Sequence, residues 1–555
     1  MTAPPTDSLA TLDGQASALL DRLEALRRQP VTPQTLPEWL SAWSRIKCDV
    51  QTLWGTQIWA TNVNTRDAEA QACYRHLMSV WIPQLGAHDE SLARLALDAG
   101  VADRFPGIAL KLRADLGGQQ SDTLQDLFSQ ERLLGSEHDV ITANQVVSWA
   151  GESLSLQEAQ ARLNHMGDSP ERRALWEAVN TSTLQGAQEL DKLFSRLLGL
   201  RQQMAAAAGA ATYADHVWQQ TGREYTIAQT ETFVDDLAQL FAPLQTLVAE
   251  RRARQLGTDR LRPWHQTVRV NALTDTPLAV EEYLPAVREI LGALDPAFAA
   301  VVDKLKREGG VDLVPRPGKV QGNFALLLSA QATARVLCNV TGGLEEFRAL
   351  LHELGHAIHF VTLSSQPETT LWDTYDFQEV CEFYAFVFTM LGTEQAARHF
   401  DLRPDDHQKY RRSLAESFLT RLRSVDERVR FELWVYRQRG AVTPAEMDAA
   451  FLSLSQQASV DWTGHEATLA KGWQSPFLFQ FSFYNIEYAI ATIAALLFFK
   501  AYQEAPQETM ARFKRAMRMG ATAGPTAIFA EAGISFPFSR AQLETARAVL
   551  ADWLS

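Results

Sequence analysis

Residues 350–360 read L-L-H-E-L-G-H-A-I-H-F, with His352, Glu353 and His356 in the order H-E-x-x-H. On a helix, positions i and i+4 share one face about a turn apart, so the two imidazoles can aim at one point. That spacing suits a zinc ion held at ~2.0–2.1 Å by two ring nitrogens. Glu353 lies on the edge of the same face, where it can take a proton from a water the ion activates. Leu350, Leu351, Leu354, Ala357, Ile358 and Phe360 make the segment apolar around most of its circumference, which predicts a buried helix. Two buried imidazoles and a buried carboxylate are costly unless something pairs with them, and one cation would pair with all three. An exposed helix with two incidental histidines would not carry these flanks.

A catalytic zinc takes three protein ligands and keeps one position open. In the longer pattern H-E-x-x-H-x-x-G-x-x-H the third ligand would fall at position 362, which is Thr362 here, so that arrangement is excluded. His359 follows His356 by three residues and sits off the ligand point, as packing or outer support. The remaining candidates are carboxylates. The stretch D-F-Q-E-V-C-E at 376–382 opens an apolar helix through Phe383, Phe386, Val387 and Met390. Glu379 and Glu382 are i and i+3 on it, so either could face the metal helix, and Glu379 is the first choice. A helix N-terminus also favours acidic residues, but that does not explain two carboxylates on so apolar a helix.

The elements that must position these groups read as mainly helical. Leu19, Leu20, Leu23 and Leu26, then Trp39, Trp43 and Ile46, recur at helical spacing, with Pro30, Pro33 and Pro37 between the two runs. Helical segments are expected over 153–164 and over 169–179, the latter with Ser169 at the N-cap and Pro170 at the first position. Longer ones are expected over 181–209 and 226–255. The Gly- and Pro-rich block 309–323 reads as a loop. Two β-like runs, 324–329 and 335–340, then suggest a hairpin directly before the metal helix. Its exposed edge could pair with an extended peptide, or the hairpin could be purely structural. Thr341-Gly342-Gly343 turns the chain into the helix, and 362–376 reads as loop. A boundary near residue 180 would separate an N-terminal helical lobe from a catalytic domain, 181–555.

Composition narrows the partners. With 555 residues the chain can bury a large core, and 46% apolar with 21% charged residues is ordinary for a globular protein. A net charge of −14 with no basic stripe argues against nucleic acid. Cys48, Cys73, Cys338 and Cys381 are scattered and form no C-x-x-C, which fits reduced thiols and a cytoplasmic location. The N-terminus carries no basic stretch ahead of an apolar run, so no secretory signal is expected. The longest apolar run, Tyr488 to Phe499, is too short for a bilayer, and no membrane partner is expected.

From about residue 138 onward the chain resembles the oligoendopeptidase F branch of the thimet-oligopeptidase-like zinc metallopeptidases. The resemblance is carried by Arg223-Glu224-Tyr225-Thr226, Pro263-Trp264, Asn339 with Gly342-Gly343, His352 to His359, Asp376 to Val380, and Phe483 to Ala489. It implies a large multi-helix metallopeptidase with two lobes around a channel, one zinc ion per chain, and short peptides as substrates. It implies Glu379 as third metal ligand, and Tyr484 and Tyr488 as donors that steady the tetrahedral intermediate. The sequence departs from that pattern where a histidine is usual, since Phe477 stands there, and at Asn485, where the family has a second tyrosine. Removing one such donor costs on the order of 10²–10³ in rate, and His465 is the nearby candidate to replace it. A metalloendopeptidase with Glu353 as general base is the leading expectation. A peptide-binding protein with weakened turnover and a metallocarboxypeptidase are the alternatives.

Overall fold

A computed structural model describes residues 8–117, 122–221, 223–270, 273, 278–316, 318–320, 322–366, 377–455, 460–520 and 523–555. The chain is mainly helical, with two small sheets. It divides into two compact units, each assembled from separate stretches. One comprises Met1–Leu116, Leu273–Arg411 and Ala491–Pro537; the other comprises Gly117–Ala272, Arg412–Ile490 and Phe538–Ser555. The boundary expected at 180 falls inside one continuous helix, Pro170–Ala207.

In the first unit the Leu9–Arg27 helix is capped by Ser8, whose hydroxyl accepts from the Thr11 N–H. Leu12, Leu19, Leu23 and Leu26 line its buried face, and the next helix, Leu36–Val63, adds Trp39 and Trp43 to the same core. The expected hairpin is present. Strand β4 (Phe324–Leu328) pairs antiparallel with β5 (Thr333–Leu337), and β3 (Val311–Asp312) pairs parallel with β5 on its other side, giving the order β3-β5-β4. Strand β4 is therefore an edge, but it is engaged at its C-terminal end. Gln51, on the Leu36–Val63 helix, donates to the Leu327 carbonyl at 2.5 Å and accepts from the Ser329 N–H at 3.0 Å. Asn339 pins the preceding loop by donating to the carbonyls of Val320 and Gly322.

In the second unit β1 (Val146–Trp149) and β2 (Glu152–Ser155) form a two-stranded hairpin that the sequence reading did not foresee. The helix expected from Ser153 starts three residues later, at Leu156, because Ser155 and Glu158 form a reciprocal capping box. Ser169 caps Pro170–Ala207 as expected, which joins the two helical patterns read at 169–179 and 181–209 into one. Thr226 caps Ile227–Gln255 with Gln229. Pro263-Trp264 serves packing here: the Trp264 carbonyl accepts from buried Arg172, and His465 sits edge-on to Trp176 at 5.0 Å and to Trp264 at 5.8 Å. The apolar run at 488–499 lies in the helix Asn485–Glu504. Among the described residues no single helix is long and apolar enough to cross a membrane.

Candidate metal centre

The helix Leu344–Ser364 begins where Gly342 and Gly343 take φ values of 128° and 86°, a backbone path that side chains rarely permit. Glu345 and Glu346 occupy its first turn, where the helix dipole favours them, and Glu346 accepts from the Thr341 N–H at 2.6 Å. Leu350, Leu351, Leu354, Ala357 and Ile358 are all fully buried. His352 and His356 share the remaining face, with ring centres 4.9 Å apart and planes at 88°.

The helix Gln378–His399 packs across this face, and a glycine lets it come close. A Cβ on Gly355 would lie 2.9 Å from the Ala385 Cα and 3.1 Å from the Phe388 Cβ. That approach brings the Glu382 carboxylate to the histidines: one oxygen is 3.5 Å from His352 Nε2, the other 4.0 Å from His356 Nε2. One ligand atom from each of the three residues lies within 4.8 Å of the others. Tetrahedral zinc ligands at 2.0–2.2 Å stand ~3.4 Å apart, so this donor set fits such an ion. Glu379 lies one turn earlier on the same helix, is also buried, and is not part of that group. Both carboxylates were open to the sequence reading. It preferred Glu379, whereas packing around Gly355 presents Glu382. Asp376 lies outside the described residues.

The surrounding groups set protonation. Burial, with help from His352 and His359 and against Glu382, holds His356 down to about 3, so its ring is neutral and keeps a lone pair for a metal. Thr389 donates its hydroxyl proton to the Ala385 carbonyl at 2.8 Å, and its oxygen sits 3.4 Å from His352 Nδ1. That oxygen can accept an Nδ1 proton, which leaves Nε2 bare on the side facing Glu382. Glu353 is buried at 7% exposure. Burial pushes its carboxyl up to about 7, with His352 opposing and Glu382 adding to the shift. Burial, aided by nearby Glu353, raises the thiol of Cys338, just past β5, well above the ordinary range. His359 packs against Tyr384 at 4.2 Å with the rings tilted by 44°. The sequence reading missed Thr389 and Gly355; the spacing of Gly355 within H-E-L-G-H was the one available signal for either.

Tyr484 and Tyr488 belong to the other unit, where their rings meet edge-on at 5.2 Å. Phe477 stacks on Tyr484 at 5.5 Å and 6° between planes, so an apolar ring fills the place where a histidine was expected. Asn485 is buried and its side-chain oxygen is 3.4 Å from Arg428 Nη1. His465 is committed to the Trp176 and Trp264 packing described above.

Solved structures with the same fold cover nearly the whole chain. Pz peptidase A with an inhibitor superposes with a TM-score of 0.85 at 18% identity, over 99% of this chain and 98% of that one. A protein assigned as an oligoendopeptidase F from Bacillus anthracis gives 0.80 at 17%, over 99% and 96%. Oligoendopeptidase F from Enterococcus faecium gives 0.67 at 13%, over 98% of both. No curated protein sequence matches the chain. The sequence model of peptidase family M3 matches residues 162–548. With a matching model across most of its length and the H-E-x-x-H helix within it, the chain belongs to peptidase family M3.

Proposed function

We propose that the protein is a zinc-dependent endopeptidase acting on short oligopeptides. The observation that carries this reading is the convergence of His352, His356 and Glu382 beside buried Glu353, in a chain of this peptidase family. Nε2 of each histidine and a Glu382 oxygen would hold the ion, with Glu379 in the adjoining turn. Once bound, zinc supplies Lewis-acid polarisation of the scissile carbonyl and activates the attacking water. Glu353 takes the proton from that water and delivers it to the leaving amine. Its carboxyl starts from about 7, and a cation alongside would draw it down into the range of a working base. Tyr484 and Tyr488 donate hydrogen bonds to the oxyanion, a role that rests on the family pattern. The names of the structural neighbours, an oligoendopeptidase among them, support short peptides as substrates. Strand β4 offers a substrate backbone its Phe324–Leu326 portion, Leu327 being already bound to Gln51.

The direct test is Glu353→Gln on a quenched peptide, with zinc content measured in parallel. The expected result is a loss of ~10²–10⁴ in kcat at unchanged metal content; a wild-type rate would end this reading. Phe477 in place of a donor favours one second reading, a peptide binder with slow turnover. Peptides that bind the zinc-loaded protein and stay intact would select it. Product masses from one defined peptide separate internal cleavage from trimming at a free C-terminus.

A further inference from the structure

Phe483, in the turn that enters the helix Asn485–Glu504, is fully buried with a φ of 59°. A bulky residue takes that left-handed conformation only where its surroundings hold it there. Both of its backbone polar groups are held by charged side chains. Its N–H donates to Glu432 Oε1 at 2.6 Å. Its carbonyl accepts from Arg223 Nη2 at 2.9 Å, and the same nitrogen donates to Glu487 Oε1 at 2.8 Å. The Arg223 guanidinium lies 4.5 Å over Trp218, whose ring packs edge-on to Phe483 at 4.9 Å. Glu432 comes from the helix Pro404–Tyr436, Arg223 from the segment following Tyr213–Thr221, and Glu487 from the helix that the turn opens. Two distant stretches thus converge on the backbone N–H and carbonyl of one residue, and Glu487 joins them through Arg223.

Glu432 is 1% exposed and its Oε2 has no hydrogen-bond partner among the described residues. A neutral acceptor would hold the Phe483 N–H without the penalty of a buried acid. The next residue is Tyr484, between Phe477 and Tyr488. We propose that Glu432 and Arg223 are positioning residues for Tyr484: by gripping the Phe483 peptide they hold the strained turn that aims its hydroxyl. The proposal rests on the reading of Tyr484 as an oxyanion donor.

The test is a double-mutant cycle on the zinc-loaded protein, with melting curves for every variant. Tyr484→Phe is expected to lower kcat ~100-fold at nearly constant KM. Glu432→Ala is expected to lower kcat ~10–100-fold, again with little change in KM, since a small misplacement of a catalytic group is enough. Glu432→Gln keeps an acceptor for the Phe483 N–H and is expected to stay within ~3-fold of wild type, while adding Glu432→Ala to Tyr484→Phe should cost less than ~2-fold more. Equal losses in both backgrounds, or an unchanged kcat in Glu432→Ala, overturn the proposal. A slow Glu432→Ala beside a normal Tyr484→Phe instead overturns the donor reading of Tyr484 on which it stands. If Glu432→Ala does not fold, Arg223→Lys runs the same cycle: it keeps a cation near Glu487 but loses the two-way grip of a single guanidinium nitrogen.

Discussion

At the scale of single residues, the third ligand decides whether the centre works. Glu382 and Glu379 stand one turn apart on a helix facing the histidine pair, but only Glu382 belongs to the group of converging ligand atoms. Glu382→Gln is therefore expected to weaken zinc binding by more than ~100-fold, beyond what outer-shell changes cost. Glu379→Gln is expected to weaken it by less than ~10-fold. Competition with a fluorescent chelator measures both, and the reverse order would assign the ligand to Glu379. A second buried acid makes a prediction about pH. Burial pushes Glu432 from 4.5 up to about 7, opposed by the Phe483 N–H and by Arg201, Arg223 and Arg428. Between those values the folded carboxyl keeps a proton that the unfolded one has lost. Its contribution is therefore fully present below about pH 4.5 and is lost as pH rises through 7, equivalent to about 3 kcal/mol in all. Glu432→Gln does not titrate, so its Tm relative to wild type is expected to climb from about pH 4.5 to about pH 7 and to level off above that. A flat difference would show that Glu432 titrates normally.

At the scale of elements, the centre depends on how closely two helices approach. Gly355→Ala would gain ~1 kcal/mol of helix propensity. It would also drive a methyl to 2.9 Å from the backbone of Ala385, and overpacking of that kind costs ~1–3 kcal/mol. The obstacle is backbone, which cannot swing aside, so the steric cost wins. The variant is expected to melt lower and to bind zinc more weakly, because the shift moves Glu382 away from His352 and His356. A variant as stable as wild type with unchanged affinity would show that the helices can separate without penalty. The hairpin has a different lesson. Two β-like runs at 324–329 and 335–340 announced it, with the second strand found at Thr333–Leu337, but the hold of Gln51 on Leu327 comes from a helix more than 270 residues away in sequence and left no local trace.

At the scale of the whole molecule, metal and folding are linked. A ligand that binds only the folded state at ~100 times its dissociation constant adds ~2.7 kcal/mol of stability. Zinc is therefore expected to raise the Tm and to slow hydrogen exchange in the helices Leu344–Ser364 and Gln378–His399. Chelation should reverse both effects, and Glu382→Gln should lack them. A melting curve indifferent to zinc would contradict a folded-state site at these residues. Each of the two units is gathered from separate stretches of chain, and the boundary expected near 180 lies within one of those stretches. No linker-like stretch marks it, and the residues there continue one uninterrupted helix.

The sequence alone determined what depends on short-range spacing: the imidazole pair at i and i+4, the acid beside it, the buried character of its helix, and the Ser169 cap. Each follows from helix geometry within a few residues. Tertiary structure decided what depends on distance between elements. That Glu382 falls in the converging group and Glu379 does not depends on which turn of one helix meets the face of another, and the absent side chain of Gly355 permits that close meeting. The hold on Phe483 by Glu432 and Arg223, from positions 51 and 260 residues away, could be seen only once the chain had folded.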